Sequence, residues 1–520
     1  MITMSYPIAG GDFDSAGLAT RKLKEQLARL GVDGAALRRA MIAAYEAEMN
    51  VVIHARTGTL WARVDEAKLD LEVADEGPGI PDVALAMKEG WSTASLQARQ
   101  MGFGAGLGLP NIQRSSDTFQ IETRVGRGTR IRSTILFQDA GSAASEASEA
   151  AVSPALDSAR CRACRRCIFA CPVGALRVRG RVPAIREELC IGCASCIDEC
   201  PDAVFGIRKE ATALPAIPPG AILLIPRGFL AAFPVRSPVR VLAALRDLGF
   251  VEVRLLEEWE DALRDEARRE ASAGRLPLPR IPPLCTPVTA LIESRFPSLL
   301  PHLSLFLSPA ETACEEFPLR PVFLAAACPG QYAACSRGSL TERLTVVAPG
   351  ELKAAILARL GAPSAGPESE LIAGPRGSPA PGELAASGVR AVMRALSGAE
   401  TGLLGDVSVL DLRLCAGGCS ASPLVAPLPA SAGPAWTGER RGEPTGAAAR
   451  ARPFSQRRGQ RLDPDMAEAM RKLSLIDAKT HSLPGRDCGS CGAPSCAAFA
   501  EDIVLGRAFE EDCPYRENKE

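Results

Sequence analysis

Apolar residues recur at helical spacing over residues 14–30 and Gly31 follows as a stop, which predicts an amphipathic helix. A second helical pattern over 34–54 sets Glu46 and Asn50 one turn apart on a single face. Two strand-like runs come next, 59–64 and 68–74, and the second ends in the turn Asp75-Glu76-Gly77-Pro78-Gly79. A glycine-rich stretch carrying Gly102, Gly104, Gly106 and Gly108 leads into a helix, and strands at 119–124 and 129–137 flank Gly126-Arg127-Gly128-Thr129. Residues 139–158 are small and acidic with no apolar period, and read as a flexible linker. Short strands are expected at 176–178 and 204–207. Beyond residue 215 the run 221–225, a helix over 239–248, a strand at 251–256 and a helix over 257–271 alternate, as an α/β unit with a parallel sheet does. Residues 426–464 are rich in Pro, Gly, Ala and Arg and predict disorder; their arginines read as a solvated linker, with an acidic partner as the alternative. Helices over 466–475 and 497–505 end the pattern.

With 520 residues, 47% of them hydrophobic, the chain has material for three to four units. It lacks a run of eighteen apolar residues, and its first residues show no basic start followed by an apolar core, so a soluble, unexported chain without a membrane partner is expected. Of the 18 cysteines at least twelve fall in cluster-type spacing, which argues for a reducing, anaerobic cytoplasm rather than for disulfides. A net charge of −1 gives no reason to expect nucleic acid, and three histidines leave little material for His-based nucleophilic chemistry.

The cysteines carry the strongest signal. C-x2-C-x2-C-x3-C-P is written twice, with Cys161, Cys164, Cys167 and Cys171, then Cys190, Cys193, Cys196 and Cys200. Paired C-x2-C units also build zinc ribbons, but a third Cys at the same interval and a following Cys-Pro suit zinc poorly. Residues 159–210 resemble the two-cluster bacterial ferredoxins. The implied 4Fe-4S ligand sets are crossed: Cys161, Cys164 and Cys167 with Cys200, and Cys190, Cys193 and Cys196 with Cys171.

Residues 1–138 bring together Glu46 and Asn50, the Asp75 turn, the glycine loop and the final Gly-Thr pair. Taken in this order, they resemble the GHKL ATPases, and the helix containing YEAEMNVVIHA is most similar to the anti-sigma-factor serine kinases. The resemblance implies the Bergerat α/β sandwich. It implies that Asn50 holds Mg²⁺, that Glu46 orients or deprotonates the attacking water or serine hydroxyl, and that Asp75 accepts from the adenine amino group. Gly77 and Gly79 would let the backbone approach ATP, the second loop would close over its phosphates, and Thr129 would support the adenine side. Kinase, ATPase and binding-only readings stay open.

Single cysteines follow apolar stretches at Cys285, Cys328, Cys415 and Cys419. Their order and context across 215–425 resemble the cluster-binding loops of the iron-only hydrogenase large domain. The departures are Thr286 at the position that ligates the cluster, Gln331 for a lysine, Ala334 for a glutamate and Asp411 for a glutamate. They argue against hydrogen turnover and leave open a cubane on these four cysteines, with Cys285 the least secure. Cys314 and Cys335 read as buried small hydrophobes. Over residues 465–520, Cys488, Cys491, Cys496 and Cys513 resemble the small helical 4Fe-4S domain of electron-transport and corrinoid-activating proteins, with zinc as the alternative.

The expected architecture is therefore multidomain, α/β and α+β. The expected cofactors are ATP, Mg²⁺, two clusters in the ferredoxin-like unit, one at the C-terminal end and a fourth left open. The function this implies is a cytoplasmic redox- or hydrogen-responsive regulator coupling cluster state to an anti-sigma-kinase-like ATPase. Its expected partners are a redox protein or ferredoxin and an anti-anti-sigma-like or phosphatase protein. ATP-dependent electron transfer and an authentic hydrogenase are the alternatives.

Overall fold

The computed structural model describes residues 1–13, 15–94, 106–137, 154–207, 214–233, 238–337, 343–360, 381–425, 446–457 and 461–516. Gly102 and Gly104, linker residues 139–153 and residues 426–445 lie outside these.

The first unit is a five-stranded sheet of β1 (Ile2–Ala9), β2 (Thr57–Val64), β3 (Lys68–Asp75), β4 (Thr118–Arg124) and β5 (Gly128–Leu136), ordered β1-β2-β3-β5-β4. Every pairing is antiparallel. Strand β1 lies at the edge, where Pro7 leaves no inner ladder bond unmade. Helices α1 (Leu18–Leu30), α2 (Gly34–His54), the short α3 (Val83–Ala86) and α4 (Gly108–Ser115) complete the unit, and Leu23, Leu27, Leu37, Met41, Leu60 and Ile135 are fully buried between helices and sheet.

Helix α1 has Gly17 at its N-cap and thus no capping side chain. Glu48 of α2 takes that part: its carboxylate accepts from Ala19 N at 3.1 Å, Thr20 N at 2.9 Å and Thr20 Oγ1 at 2.6 Å. It is 2% exposed, so these donors and the positive end of α1 are what compensate its desolvation. The two helices are thereby locked together.

The second unit pairs β6 (Ala155–Leu156) with β9 (Phe205–Gly206) and β7 (Leu176–Arg179) with β8 (Val182–Ile185), and has two one-turn helices, α5 (Arg166–Ala170) and α6 (Ser195–Glu199). Residues 154–158, expected within the linker, belong to this unit because Leu156 packs on its core.

The third unit is a parallel sheet of β10 (Ile222–Ile225), β11 (Glu252–Leu255), β12 (Val322–Ala325) and β13 (Leu344–Val347), ordered β11-β10-β12-β13. All four side chains of β10 are fully buried, as a strand covered on both faces requires. Helices α7 (Pro238–Asp247), α8 (Glu257–Ser272), α9 (Thr286–Arg295), α10 (Pro309–Glu316), α11 (Pro329–Arg337), α12 (Pro349–Leu360) and α13 (Val389–Glu400) accompany it, with a parallel pair β14 (Glu383–Ser387) and β15 (Val409–Arg413). Cys314 and Cys335 are buried in its core.

Disorder across 426–464 is corrected where the chain is described. Leu307 N donates to Ala448 O at 2.9 Å, Arg450 N donates to Leu305 O at 2.8 Å, and Arg457 pairs with Glu293 at 3.1 Å. Free backbone groups at Leu305 and Leu307 and the half-buried carboxylate of Glu293 thus capture a segment whose composition alone reads as solvated. The last helices are α14 (Met466–Ser482), a further turn or two longer than expected, and α15 (Cys496–Val504).

The units dock on α1 and α2. Ala469, Met470, Leu473 and Ile476 of α14 enter the core of the first unit. Lys24 pairs with Glu400 of α13 and lies 3.8 Å from the Phe296 ring centroid, while a Cβ on Gly34 would stand 2.9 Å from Pro297 O. Replacing Glu48 by alanine is expected to leave the α1 amides unsatisfied and to lower local protection there by about 1–3 kcal/mol. Amide hydrogen exchange of Ala19 and Thr20 measures this; unchanged exchange would show that the cap is dispensable.

Candidate functional site

Helix α2 brings Glu46 and Asn50 to the mouth of a cleft closed by the start of α4. A Cβ on Gly108 would fall 3.3 Å from Glu46 Oε2 and 3.4 Å from Asn50 Oδ1, so only a residue without a side chain leaves this space open. Asn111 Nδ2 donates to Glu46 Oε1 at 2.6 Å and fixes the carboxylate. Burial raises the Glu46 carboxyl above its usual value, against the opposing effect of Asn111. Among the described residues the side-chain nitrogen of Asn50 is buried without an acceptor.

At the other end of the cleft Asp75 Oδ1 accepts from Gly77 N at 2.7 Å and Thr129 N at 3.2 Å. Burial raises its carboxyl, while those two donors and the nearby His54 pull the other way. A Cβ on Gly128 would stand 2.0 Å from Asp75 O, and one on Gly79, whose φ is +73°, would stand 2.4 Å from Arg124 O. Thr129 Oγ1 lies 3.0 Å from Thr123 Oγ1, which in turn accepts from Ile80 N at 2.8 Å. Gly106 ends the described part of the loop at φ +76° and its carbonyl accepts from Gly90 N at 3.0 Å. The structure thus gathers the expected residues into two groups, Glu46, Asn50 and Gly108 at the start of α4, and Asp75, Gly77 and Thr129 at the ends of β3 and β5. Asn111 gave no signal in the sequence, since one asparagine inside a helix has no distinguishing context.

The cysteines gather as the crossed spacing implies. Cys161, Cys164, Cys167 and Cys200 line one cavity, and Cys488, Cys491, Cys496 and Cys513 line another. Cys171 is the charge neighbour that Cys190, Cys193 and Cys196 share. Burial first, then neighbouring thiols, push the Cys167 and Cys190 thiols up to about 11 and that of Cys193 to about 12. Cysteines gathered this closely become thiolates together only around a strongly positive body, the chemistry of an iron–sulfur site. Backbone N–H groups already aim at sulfur, Ala175 N at Cys171 (3.3 Å) and Val204 N at Cys200 (3.4 Å) among them.

Cys285, Cys328, Cys415 and Cys419 also come together: Cys285 and Cys328 are charge neighbours of Cys419, and Cys285 and Cys415 of Cys328. Cys193 of the second unit is a neighbour of both Cys328 and Cys415. There the two loops touch, with Gly330 N donating to Gly192 O at 3.0 Å. Gln331 turns back on its own loop, accepting from Ala327 N at 2.7 Å while its N–H donates to Cys328 Sγ at 3.3 Å. Arg413, 2% exposed, pairs with Glu260 at 2.6 Å and Asp411 at 2.8 Å beside this set. Burial would raise the Asp411 carboxyl, but Arg413 and Arg264 hold it down at about 2. Glu257 accepts from Ser420 Oγ at 2.7 Å and Arg227 N at 2.9 Å. Sequence reading singled out neither glutamate, because both fall on the expected face of a helix rich in charge.

Comparison with known proteins matches family models to three stretches of the chain. The family model of the histidine kinase-, DNA gyrase B-, and HSP90-like ATPases matches residues 36–139, that of the 4Fe-4S dicluster domain 153–201, and an Fe-S cluster family model 483–515. The serine/threonine-protein kinase RsbT of Bacillus subtilis is 32% identical over 120 residues, 22% of this chain and 84% of the relative. The anti-sigma F factor of Caldanaerobacter subterraneus subsp. tengcongensis is 35% identical over 94 residues, 17% of this chain and 62% of the relative. Among solved structures, the FeFe-hydrogenase HydA(deltaEFG) aligns with 40% of this chain and 80% of its own at 15% identity and a TM-score of 0.32. Through its first unit the chain belongs to the histidine kinase-, DNA gyrase B- and HSP90-like ATPase family, on the branch that includes RsbT, and it carries iron–sulfur cluster domains alongside. No helix among the described residues is long and apolar enough to cross a membrane.

Because ionising Glu46 costs the folded chain more than the unfolded one, stability is lost as pH rises from the usual carboxylate range through the raised folded value. Glu46→Gln keeps an acceptor for Asn111 and removes that cost. Urea unfolding should therefore show the variant gaining on the parent between about pH 4 and about pH 7; an equal or opposite pH dependence would contradict the burial argument.

Proposed function

We propose that the chain is a cytoplasmic iron–sulfur regulator in which the state of the cluster units alters nucleotide binding, ATP hydrolysis or protein-serine phosphorylation by the first unit. The observation that carries this is helix α2: it holds Glu46 and Asn50 over the cleft, and its first residue lies against Pro297 of the cysteine-bearing third unit. A nucleotide switch and an electron-carrying assembly therefore share one rigid element.

In this reading Asp75 receives the adenine amino group, with Thr129 beside it and Gly77 and Gly79 allowing close approach. Of the loop's glycines the described Gly106 and Gly108 serve the phosphate side. Asn50 would hold Mg²⁺ through its side-chain oxygen, beside Gly108, and the ion would neutralise phosphate charge. Glu46, fixed by Asn111 and partly desolvated, takes the proton of the attacking water or serine hydroxyl. The similarity to RsbT favours a protein substrate of the anti-anti-sigma or phosphatase type, and the 4Fe-4S units favour a ferredoxin-like electron partner. Cys161, Cys164, Cys167 and Cys200 hold one cluster, Cys171, Cys190, Cys193 and Cys196 a second, and Cys488, Cys491, Cys496 and Cys513 a third. Cys285, Cys328, Cys415 and Cys419 hold a fourth, next to Cys193. When bound, these clusters supply one-electron storage.

Asn50→Ala should weaken Mg²⁺-dependent ATP binding by at least about tenfold, read by calorimetry, with nucleotide binding in EDTA little changed. The decisive test is ATP turnover and transfer to candidate serine-bearing proteins, on reconstituted protein poised oxidised and then reduced, with Glu46→Ala as the blank. A rate that changes with poise and vanishes in the variant is the expected result. Identical nucleotide binding and turnover in both states would overturn the coupling, and turnover only in step with electron delivery to an acceptor would replace regulation by ATP-driven reduction.

A further inference from the structure

Helix α15 touches both the ATPase unit and the ferredoxin-like unit. Phe499 packs in the small core of its own lobe, Ala500 is buried in the core of the ATPase unit, and the next two residues are carboxylates that face outward to other units. Glu501 pairs with Arg29 of α1 and, at 2.8 Å, with Arg186 of the ferredoxin-like unit. Asp502, 1% exposed, pairs with Arg177 at 2.5 Å and Arg179 at 2.7 Å, and Arg186 Nη1 lies 3.5 Å away. The first residue of the same helix is Cys496, and its preceding loop is seated on the ferredoxin-like unit by Arg165 Nη2 to Ser490 O (3.1 Å) and Val178 N to Gly492 O (2.9 Å).

Within itself this lobe has little to hold it. Its buried cluster among the described residues is Ala493, Phe499, Ala508 and Cys513, far too small a core to order the loop that carries Cys488 and Cys491. In lobes of this size a metal group supplies the missing folding energy, so that occupancy and fold are one event. The positions of Glu501 and Asp502, within two turns of Cys496, then depend on that event.

We propose that the C-terminal lobe is a cluster-dependent clamp: with its cluster in place, α15 holds the ATPase unit against the ferredoxin-like unit through Arg29–Glu501–Arg186, and loss of that cluster releases α1. The inference rests on the assignment of a cluster to Cys488, Cys491, Cys496 and Cys513, and adds that this cluster acts on the nucleotide unit through structure. Release would free α1, and with it the Glu48 cap that joins α1 to the helix carrying Glu46 and Asn50.

The test uses the full chain, reconstituted without oxygen, with iron and sulfide analysis and amide hydrogen exchange over residues 18–30 and 466–482. Two variants separate the cluster from the clamp. Cys513→Ala should lose the iron of one cluster and raise exchange in α1 on the order of tenfold, the equivalent of about 1.4 kcal/mol. Glu501→Ala should raise α1 exchange to a similar degree with iron content intact. Lost iron with unchanged α1 exchange would overturn the clamp and leave the cluster assignment standing. Full iron in Cys513→Ala would overturn the assignment and the clamp with it. Unchanged α1 exchange in Glu501→Ala would likewise remove the ion pairs as the coupling element.

Discussion

Charges taken out of water must find partners, and in this chain they find them across unit boundaries. Asp502 is 1% exposed and is kept company by arginines from the ferredoxin-like unit; Lys24 of the ATPase unit is desolvated against Glu400 of the third unit. Burial would lower the Lys24 ammonium and does so, while Glu400 opposes the shift. None of these groups could stay where it is if its neighbour unit moved away dry. The arrangement of the units is therefore set by paired charges together with apolar contact, from α14 and Ala500 on the first unit and from a core that the second and third units share.

That constraint reaches the nucleotide cleft through two helices. Helix α1 carries Lys24 and Arg29, the two cations tied to other units, and its N-terminus is capped by Glu48. Glu48 lies on α2 between Glu46 and Asn50, on the face turned away from the cleft. A displacement of α1 thus acts on a buried carboxylate two residues from the groups expected to handle Mg²⁺ and the attacking hydroxyl. Packed helices of this kind respond as units rather than by continuous deformation, because core packing leaves no slack.

How much of this was legible in the residues differs by kind of signal. The cysteine sets were, since fixed spacing in tight loops leaves sulfur little choice of neighbour, and the crossed pairing of Cys171 and Cys200 stands in the structure. The family of the first unit was also legible, from Glu46, Asn50, Asp75 and Thr129 taken as a constellation ordered along the chain. Strand β1 was legible but overlooked: Met4, Tyr6 and Ile8 alternate with exposed neighbours. What could not be read were contacts between distant segments. Nothing near Glu501 marks Arg29 as its partner, and nothing in the composition of 446–457 shows that Leu305 and Leu307 take up its backbone. Periodicity describes one element at a time, whereas these contacts are properties of pairs.

A joint built on desolvated ion pairs also differs in kind from one built on apolar area. Replacing both partners by well-packed hydrophobes often leaves such a joint no weaker, whereas removing one partner strands a buried charge and costs several kcal/mol. The joint therefore tolerates uniform weakening poorly and responds steeply to loss of a single member. Glu501 answers to both Arg29 and Arg186, so displacing one short helix strands charge on two other units at once. Apolar packing is lost over a short separation and a stranded charge adds its cost as its partner leaves, so the two act together and the joint passes from bound to released as packed interfaces do.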